Sequence, residues 1–215
     1  MTTDFDAGTV TAIELPTVET ATARAAREVA RQYCTPSLFH HCARSFVWAA
    51  LLAQAESITI DAELLYVAAM FHDIGLVPEF DSHTVDFEDA GGHVAAVFAA
   101  GAGWQARRGQ RLHEIIVRHM WDHVDVALDP EGHLLARSTG LDITGRDAEL
   151  IPPAVRALVT TRWPRLELAD EFTACFDRQA ARKPHSSAAA AMRNGLARKL
   201  SDNPLGRVSG APGAR

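Results

Sequence analysis

The chain has 215 residues, of which 47% are hydrophobic and 22% are charged, and its formal net charge is −6. These values are typical of a folded globular domain and exclude a disordered or fibrous protein. Because the sequence contains no dense cluster of Lys and Arg, we expect no nucleic-acid partner.

The N-terminal residues lack the basic and apolar segments of a secretion signal, and no run of about 18 apolar residues occurs. We therefore expect a cytoplasmic protein without a membrane partner. The cysteines are too few and too irregularly spaced for a disulfide framework or a CxxC metal site, which predicts reduced thiols. They are Cys34, Cys42 and Cys175.

The spacing of apolar residues predicts an all-α, single-domain helical bundle, since no series of alternating strands occurs. Residues 1–16 are predicted to form a flexible N-terminus and residues 17–200 the helical domain. Residues 201–215 have the Gly, Pro and Ser content of a disordered tail. The first helix is predicted over Thr17–Gln32, as a lid or brace.

The next two helices carry the most informative residues. A Thr-Pro-Ser sequence at 35–37 predicts the cap of a second helix, which places His41 in its first turns. The segment 61–75 is rich in Ala, Leu and Met and stops at a glycine. His72 and Asp73 are therefore expected at the C-terminal end of a third helix.

Further helices are predicted over residues 87–103 and 107–124, and the second of them carries His119. The following helix is predicted to run up to Gly140, with Asp142 beyond it in a helix or loop. A capped helix then begins at a Pro-Pro pair, and one or two more helices complete the domain.

Adjacent His72 and Asp73 can bind one cation at a helix end, where the backbone relaxes from regular helical geometry. Packing of this helix against the preceding one would bring His41 to the same ion. Burying an imidazole and a carboxylate without partners is costly, and a metal satisfies both. The alternative interpretation is a buried His–Asp hydrogen bond.

The order of His41, His72-Asp73 and a later aspartate resembles the HD-domain superfamily of metal-dependent hydrolases, whose ligands follow the pattern H…HD…D on a helical bundle. Arg44 stands where that family commonly has an arginine. Further motifs resemble the cyanamide hydratase-like branch of the superfamily. They are DFEDAGG at 86–92, IIVRH at 115–119, GLDITGR at 140–146, WPR at 163–165 and RKPHSS at 182–187.

This resemblance implies four metal ligands, which are His41, His72, Asp73 and Asp142. The last ligand has alternatives, since other aspartates also follow His119, although the GLDITGR context selects Asp142. These alternatives are Asp122, Asp125, Asp129 and Asp147. We expect a single metal, because Phe87 or Glu88 occupies the position where dinuclear members have a further histidine, and His93 is out of register.

The same motifs supply candidate catalytic residues. Glu88 and His119 have suitable chemistry for transferring a proton or orienting the nucleophile, and Arg44 is the third candidate. Each also has a structural interpretation, as a group on a helix surface or behind the site. His119 is also compatible with a packed histidine or with a ligand of a second metal.

We expect an enzyme that uses one divalent metal, with zinc favoured and iron or manganese compatible, to activate water. Its substrate would be a small nitrogen-containing molecule resembling a nitrile, cyanamide or amide, since no basic cluster adjoins the HD motif. The alternatives are a phosphohydrolase acting on a nucleotide or phosphate ester and a non-catalytic metal-containing binding module. The sequence is compatible with a homo-oligomer and does not identify the physiological substrate or the metal.

Overall fold

A computed structural model of the chain describes residues 14–209. Most of the predicted flexible N-terminus and the last six residues of the predicted tail lie outside this range. The described residues form α-helices and short 3-10 helices without a β-strand, which confirms the all-α prediction. The α-helices are α1 Ala21–Tyr33, α2 Pro36–Ala55, α3 Ala62–Phe71, α4 Phe87–Gly101, α5 Ala106–Arg118, α6 Pro130–Thr144, α7 Pro153–Arg162, α8 Leu168–Arg182, α9 Ser187–Arg193 and α10 Leu196–Ser201.

Side-chain caps set where several helices begin. The hydroxyl of Thr35 accepts a hydrogen bond from the backbone N–H of Leu38, and Pro36 occupies the first turn of α2. Thr20 caps α1 in the same way, so this helix begins at Ala21 rather than at the predicted Thr17. Helix α1 packs against α3 along its buried alanines.

Helix α3 is the centre of the bundle. Its residues from Leu64 to Phe71 are all buried, and it packs against α1, α2, α4, α5 and α6. A helix that is apolar all round must be covered on every side, which the neighbouring helices achieve. Among the described residues, no helix combines the length and apolar character needed to cross a membrane.

Two glycines let α4 cross close to the C-terminal end of α3. A Cβ added to Gly75 would lie 2.0 Å from the carbonyl oxygen of Phe87, so no side chain fits there. A Cβ on Gly91 would lie 3.1 Å from the carbonyl oxygen of Phe71. The glycines of the HDIG and DFEDAGG motifs therefore bring α4 directly against the turn that follows His72 and Asp73.

Helix α6 continues past its predicted end at Gly140 to Thr144, which places Asp142 in its last turn. It ends at Gly145, whose φ of 76° is the left-handed conformation of a helix C-cap. Residues 201–209 belong to the predicted disordered tail, but the structure holds a 3-10 helix there, and Leu205 is buried. The packed region therefore extends beyond residue 200, while the division into domain and flexible ends otherwise stays a prediction.

Candidate metal centre

Two helix termini and one helix interior bring together a cluster of buried polar side chains. His41 comes from the second turn of α2, His72 is the C-terminal cap of α3, and Asp73 follows it directly. His119 is the C-terminal cap of α5. Their relative exposures are 0% for His41 and His72, 1% for Asp73 and 7% for His119, so solvent cannot satisfy these groups fully.

The donor atoms of this cluster lie close together. Nε2 of His41 is 3.1 Å from Nε2 of His72, and Oδ2 of Asp73 is 3.3 Å and 3.2 Å from these two nitrogens. Nε2 of His119 lies 3.7 Å from the other Asp73 oxygen, Oδ1. The structure therefore brings the predicted ligands His41, His72 and Asp73 to one point, and His119 joins them.

Each of the three imidazoles has its Nδ1 atom occupied by an acceptor. Nδ1 of His72 lies 2.8 Å from the carbonyl oxygen of Ala69, and Nδ1 of His119 faces the carbonyl oxygen of Ile116. Nδ1 of His41 lies 2.7 Å from a carboxylate oxygen of Asp142. In the neutral ring, an N–H at Nδ1 leaves the lone pair on Nε2, so all three lone pairs point into the cluster.

The surroundings of Asp73 show whether this cluster fits a metal. Both of its carboxylate oxygens are buried, and neither has a hydrogen-bond partner among residues 14–209. Buried polar atoms are nearly always paired, because leaving them unpaired costs free energy. Carboxylate oxygens and imidazole nitrogens that converge without donors between them form a donor set suited to a divalent cation.

Asp142, predicted as the fourth ligand, is not brought into this cluster. It lies beyond the Nδ1 side of His41, whereas the cluster is on the Nε2 side. Its Oδ1 accepts hydrogen bonds from Arg44 Nε and Trp48 Nε1, both at 2.8 Å. Its Oδ2 accepts from His41 Nδ1 and, at 2.8 Å, from Arg44 Nη2. The side chain of Asp142 therefore holds His41 in place from behind.

Arg44 belongs to the same buried network and does not line the open cavity beside the cluster. Besides Asp142, its guanidinium donates to the carbonyl oxygens of Trp163 and Pro164 at 2.9 Å and 3.1 Å. Arg165 donates to the backbone carbonyl of Asp142 at 2.6 Å. Residues of the WPR motif thus make hydrogen bonds at the outer edge of the network around Asp142.

Comparison with known proteins agrees with this arrangement. The family model described as HD domain matches residues 38–141, which hold His41, His72, Asp73 and His119. This stretch of the chain is an HD domain. Two curated relatives are cyanamide hydratase DDI2 and cyanamide hydratase DDI3 of Saccharomyces cerevisiae (strain ATCC 204508 / S288c). Each is 29% identical to this chain over 175 residues, which cover 79% of this chain and 77% of the relative.

The resemblance to the cyanamide hydratase-like branch of the HD-domain superfamily is thereby confirmed. HD domains bind divalent metals, and in this HD domain one donor atom each from His41, His72 and Asp73 lies within 4.8 Å of the others. These similarities support an enzyme of the hydrolase-like class.

Charges within the HD domain are strongly coupled. Burial acts against protonation of His41, but the carboxylates of Asp142 and Asp73 outweigh it and raise the pKa of His41. Burial acts to raise the pKa of Asp73, yet positive charge on His72 and His41 lowers it well below its ordinary value. Burial and the neighbouring His72 lower the pKa of His119 to about 4, so this ring is neutral near pH 7.

Glu88, a predicted catalytic residue, is not among the residues that line the cavity beside the cluster. It lies in the first turn of α4 and is buried, and its Oε2 has no hydrogen-bond partner within the described chain. Burial raises the pKa of Glu88 to about 7, an effect that the nearby side chain of Ser187 partly offsets. The structure does not place this carboxyl group with the histidines.

The cluster opens into a cavity of about 180 Å³. Its inner wall includes the side chains of Phe172 and Phe176 from α8, and the ring of Phe172 lies 5.7 Å from that of His41. Exposed residues form its mouth, so the cluster is reachable from solvent. These exposed residues are Trp121, Asp122, Arg146, Asn194 and Lys199.

Proposed function

We propose that the protein is a metal-dependent hydratase or hydrolase that adds water to a small nitrogen-containing molecule resembling a nitrile, cyanamide or amide. The convergence of three Nε2 lone pairs and an unpartnered Asp73 carboxylate on an open cavity is the observation that carries this proposal. The substrate class is supported by the two yeast relatives, which are named as cyanamide hydratases.

We assign the metal to His41, His72, Asp73 and His119. Three imidazole nitrogens and one carboxylate suit zinc best, and iron or manganese also accept mixed nitrogen and oxygen ligands. When bound, a divalent cation acts as a Lewis acid and lowers the pKa of water. His119 therefore has a metal-binding role in this proposal, in place of the role in proton transfer.

Asp142 and Arg44 are positioning residues in this proposal. Asp142 fixes the orientation of the His41 ring through Nδ1, and Arg44 balances the buried negative charge with two hydrogen bonds of 2.8 Å. Such partners behind a ligand fix its tautomer and direction. Neither residue touches the substrate, because the ring of His41 stands between Asp142 and the cluster.

The cavity supports a small substrate. Its volume of about 180 Å³ is below the roughly 300–1,000 Å³ of pockets that hold drug-sized ligands. Phe172 and Phe176 cover the inner wall and limit the number of water molecules beside the cluster. A short molecule with one polar, unsaturated carbon–nitrogen group fits these surroundings.

Metal analysis combined with an activity screen tests the proposal. Protein purified without chelator should contain about one equivalent of divalent metal, and it should convert cyanamide, a small nitrile or a small amide. The His72→Ala variant should lose both metal and activity. His93→Ala serves as the matched control, because His93 is an exposed histidine outside the cluster.

Retention of full metal content and activity by His72→Ala would refute the assignment of the centre. Metal-loaded protein that converts none of the nitrogen compounds would refute the substrate class while leaving the metal site intact.

A phosphohydrolase is the second candidate, because the mouth of the cavity carries the cationic side chains of Arg146 and Lys199. Phosphate esters need positive groups around their oxygens. Phosphate release from a panel of nucleotides and simple phosphate esters with added magnesium or manganese tests this alternative. No release from metal-loaded protein would remove it.

A further inference from the structure

The cavity has two ends of different character. Its inner end holds the metal cluster together with the rings of Phe172 and Phe176, whereas its mouth carries the cations of Arg146 and Lys199. Arg146 follows the C-cap of α6, and its side chain folds back along that helix. A Cβ added to Gly140 would lie 3.8 Å from the guanidinium carbon, which places the charge on the cavity wall.

These two cations have no acidic partner within 4.0 Å in the described part of the chain. Arg44 and Arg118, by contrast, are paired: Arg44 bonds to Asp142, and Arg118 bonds to Asp129 at 2.6 Å. Apart from Asp73 in the cluster, the cavity lining includes one acidic residue, the exposed Asp122. The mouth therefore has an excess of positive charge that the structure does not neutralise.

Two unpaired cations at the mouth of a small cavity attract a negatively charged group on the bound molecule. A guanidinium offers a planar set of N–H donors that matches the oxygens of a carboxylate or phosphate, and Lys adds a mobile point charge. The aromatic inner wall, by contrast, offers nothing to an anion. A molecule that binds the mouth through an acidic group would therefore place its uncharged reactive group at the cluster.

We propose that the substrate carries an acidic oxygen group, a carboxylate or phosphate-type group, which Arg146 and Lys199 bind at the mouth while its uncharged end reaches the metal cluster. The nature of the reactive end rests on the proposed function, whereas recognition of the acidic end rests on the mouth alone. Arg146 and Lys199 are thus specificity-determining residues.

Binding and turnover of matched ligands test this proposal on the metal-loaded protein. The ligands are 4-cyanobutyrate, 3-cyanopropylphosphonate and the neutral 4-cyanobutyramide, which share one chain and differ at the end. Dissociation constants come from calorimetry and kcat/KM from amide formation. The variants are Arg146→Met and Lys199→Met, and the control is Arg198→Met, which removes an exposed cation next to Lys199 that does not line the cavity.

The wild type should bind an acidic ligand about tenfold or more tightly than the neutral amide, since a hydrogen bond to a charged group is worth about 1.5–3 kcal/mol. Arg146→Met and Lys199→Met should each remove most of this preference, leave the affinity for the amide unchanged and differ from Arg198→Met. The tighter of the two acidic ligands identifies carboxylate or phosphate as the favoured group.

Equal dissociation constants for charged and neutral ligands in the wild type would overturn the proposal. Variants that weaken all three ligands equally would also overturn it. If no ligand is turned over, the proposed function fails, but the dissociation constants still decide whether the mouth selects an acidic group.

Discussion

Two buried aspartates stand on opposite sides of His41 and differ in how their oxygens are satisfied. Asp142 accepts hydrogen bonds on both oxygens from Arg44, Trp48 and His41, while Asp73 has no hydrogen-bond partner in the described chain. Both side chains are almost completely shielded from solvent. The protein itself satisfies the oxygens of Asp142, whereas we propose that a bound cation satisfies those of Asp73.

This difference distinguishes a buried charge that stabilises the fold from a buried charge that forms a binding site. A buried ion pair with all its hydrogen bonds is strongly destabilised by loss of one partner. A buried carboxylate without partners instead makes a site that a cation can stabilise. Substitutions on the two sides of His41 should therefore fail in different ways.

The largest effect is expected for Asp73→Asn. Loss of this carboxylate should lower metal affinity and activity by at least about 100-fold, because even residues behind a metal ligand contribute factors of 10–100. Addition of zinc should raise the Tm of the wild type and leave that of Asp73→Asn unchanged, since binding to the folded state stabilises it. Calorimetry of zinc binding and thermal unfolding measure both quantities. A zinc-dependent rise in Tm equal to that of the wild type would contradict this prediction.

Asp142→Ala should reduce stability with or without metal. It leaves the guanidinium of Arg44 buried without its partner, and such losses cost about 3–5 kcal/mol in the free energy of unfolding. Metal affinity should also fall about 10–100-fold because His41 loses its orienting contact. Urea unfolding of metal-free protein checks the first effect and zinc titration the second.

Glu28→Ala is the control, because this exposed carboxylate lies 3.7 Å from Arg31 on the surface of α1 and should contribute less than about 1 kcal/mol. A metal-free Asp142→Ala protein as stable as this control would show that the network around Arg44 is unimportant for the fold.

A smaller effect is expected for Glu88, a third buried carboxyl group. Burial favours the protonated, uncharged form of this group. Its pKa rises from 4.5 to about 7 on folding, so the free energy of unfolding should fall as the pH increases from about 4.5 to about 7. The loss should reach roughly 1–3 kcal/mol at neutral pH. Glu88→Gln removes this proton, and its stability relative to the wild type should therefore increase across the same range. Urea unfolding at a series of pH values measures the difference, and parallel curves for the two proteins would contradict the prediction.

The cluster residues whose position depends on local order were predictable from the sequence. Adjacent His72 and Asp73 at the end of an apolar helix indicated the centre, and His41 followed from the packing of two neighbouring helices. The all-α fold was predictable for the same reason, because helical periodicity is a local property.

The hydrogen-bond arrangement around Asp142 could not be predicted from the local sequence. Its role depends on which nitrogen of His41 it faces, and this is set by how α6 lies against α2. Helical spacing favours Trp48 as a packed core residue, yet its N–H donates to Asp142. Glu88 sits in a motif that resembles the family, but it does not line the cavity.

The side-chain amide of Asn203 donates a hydrogen bond of 2.8 Å to the backbone carbonyl of Asp142, and Pro204 packs beside Gly145. The ribosome adds the four cluster residues to the chain well before it adds Asn203. These residues are His41, His72, Asp73 and His119. The support behind His41 is thus assembled last, after synthesis of the HD domain itself. A chain that stops before residue 203 would lack this hydrogen bond to the carbonyl of Asp142.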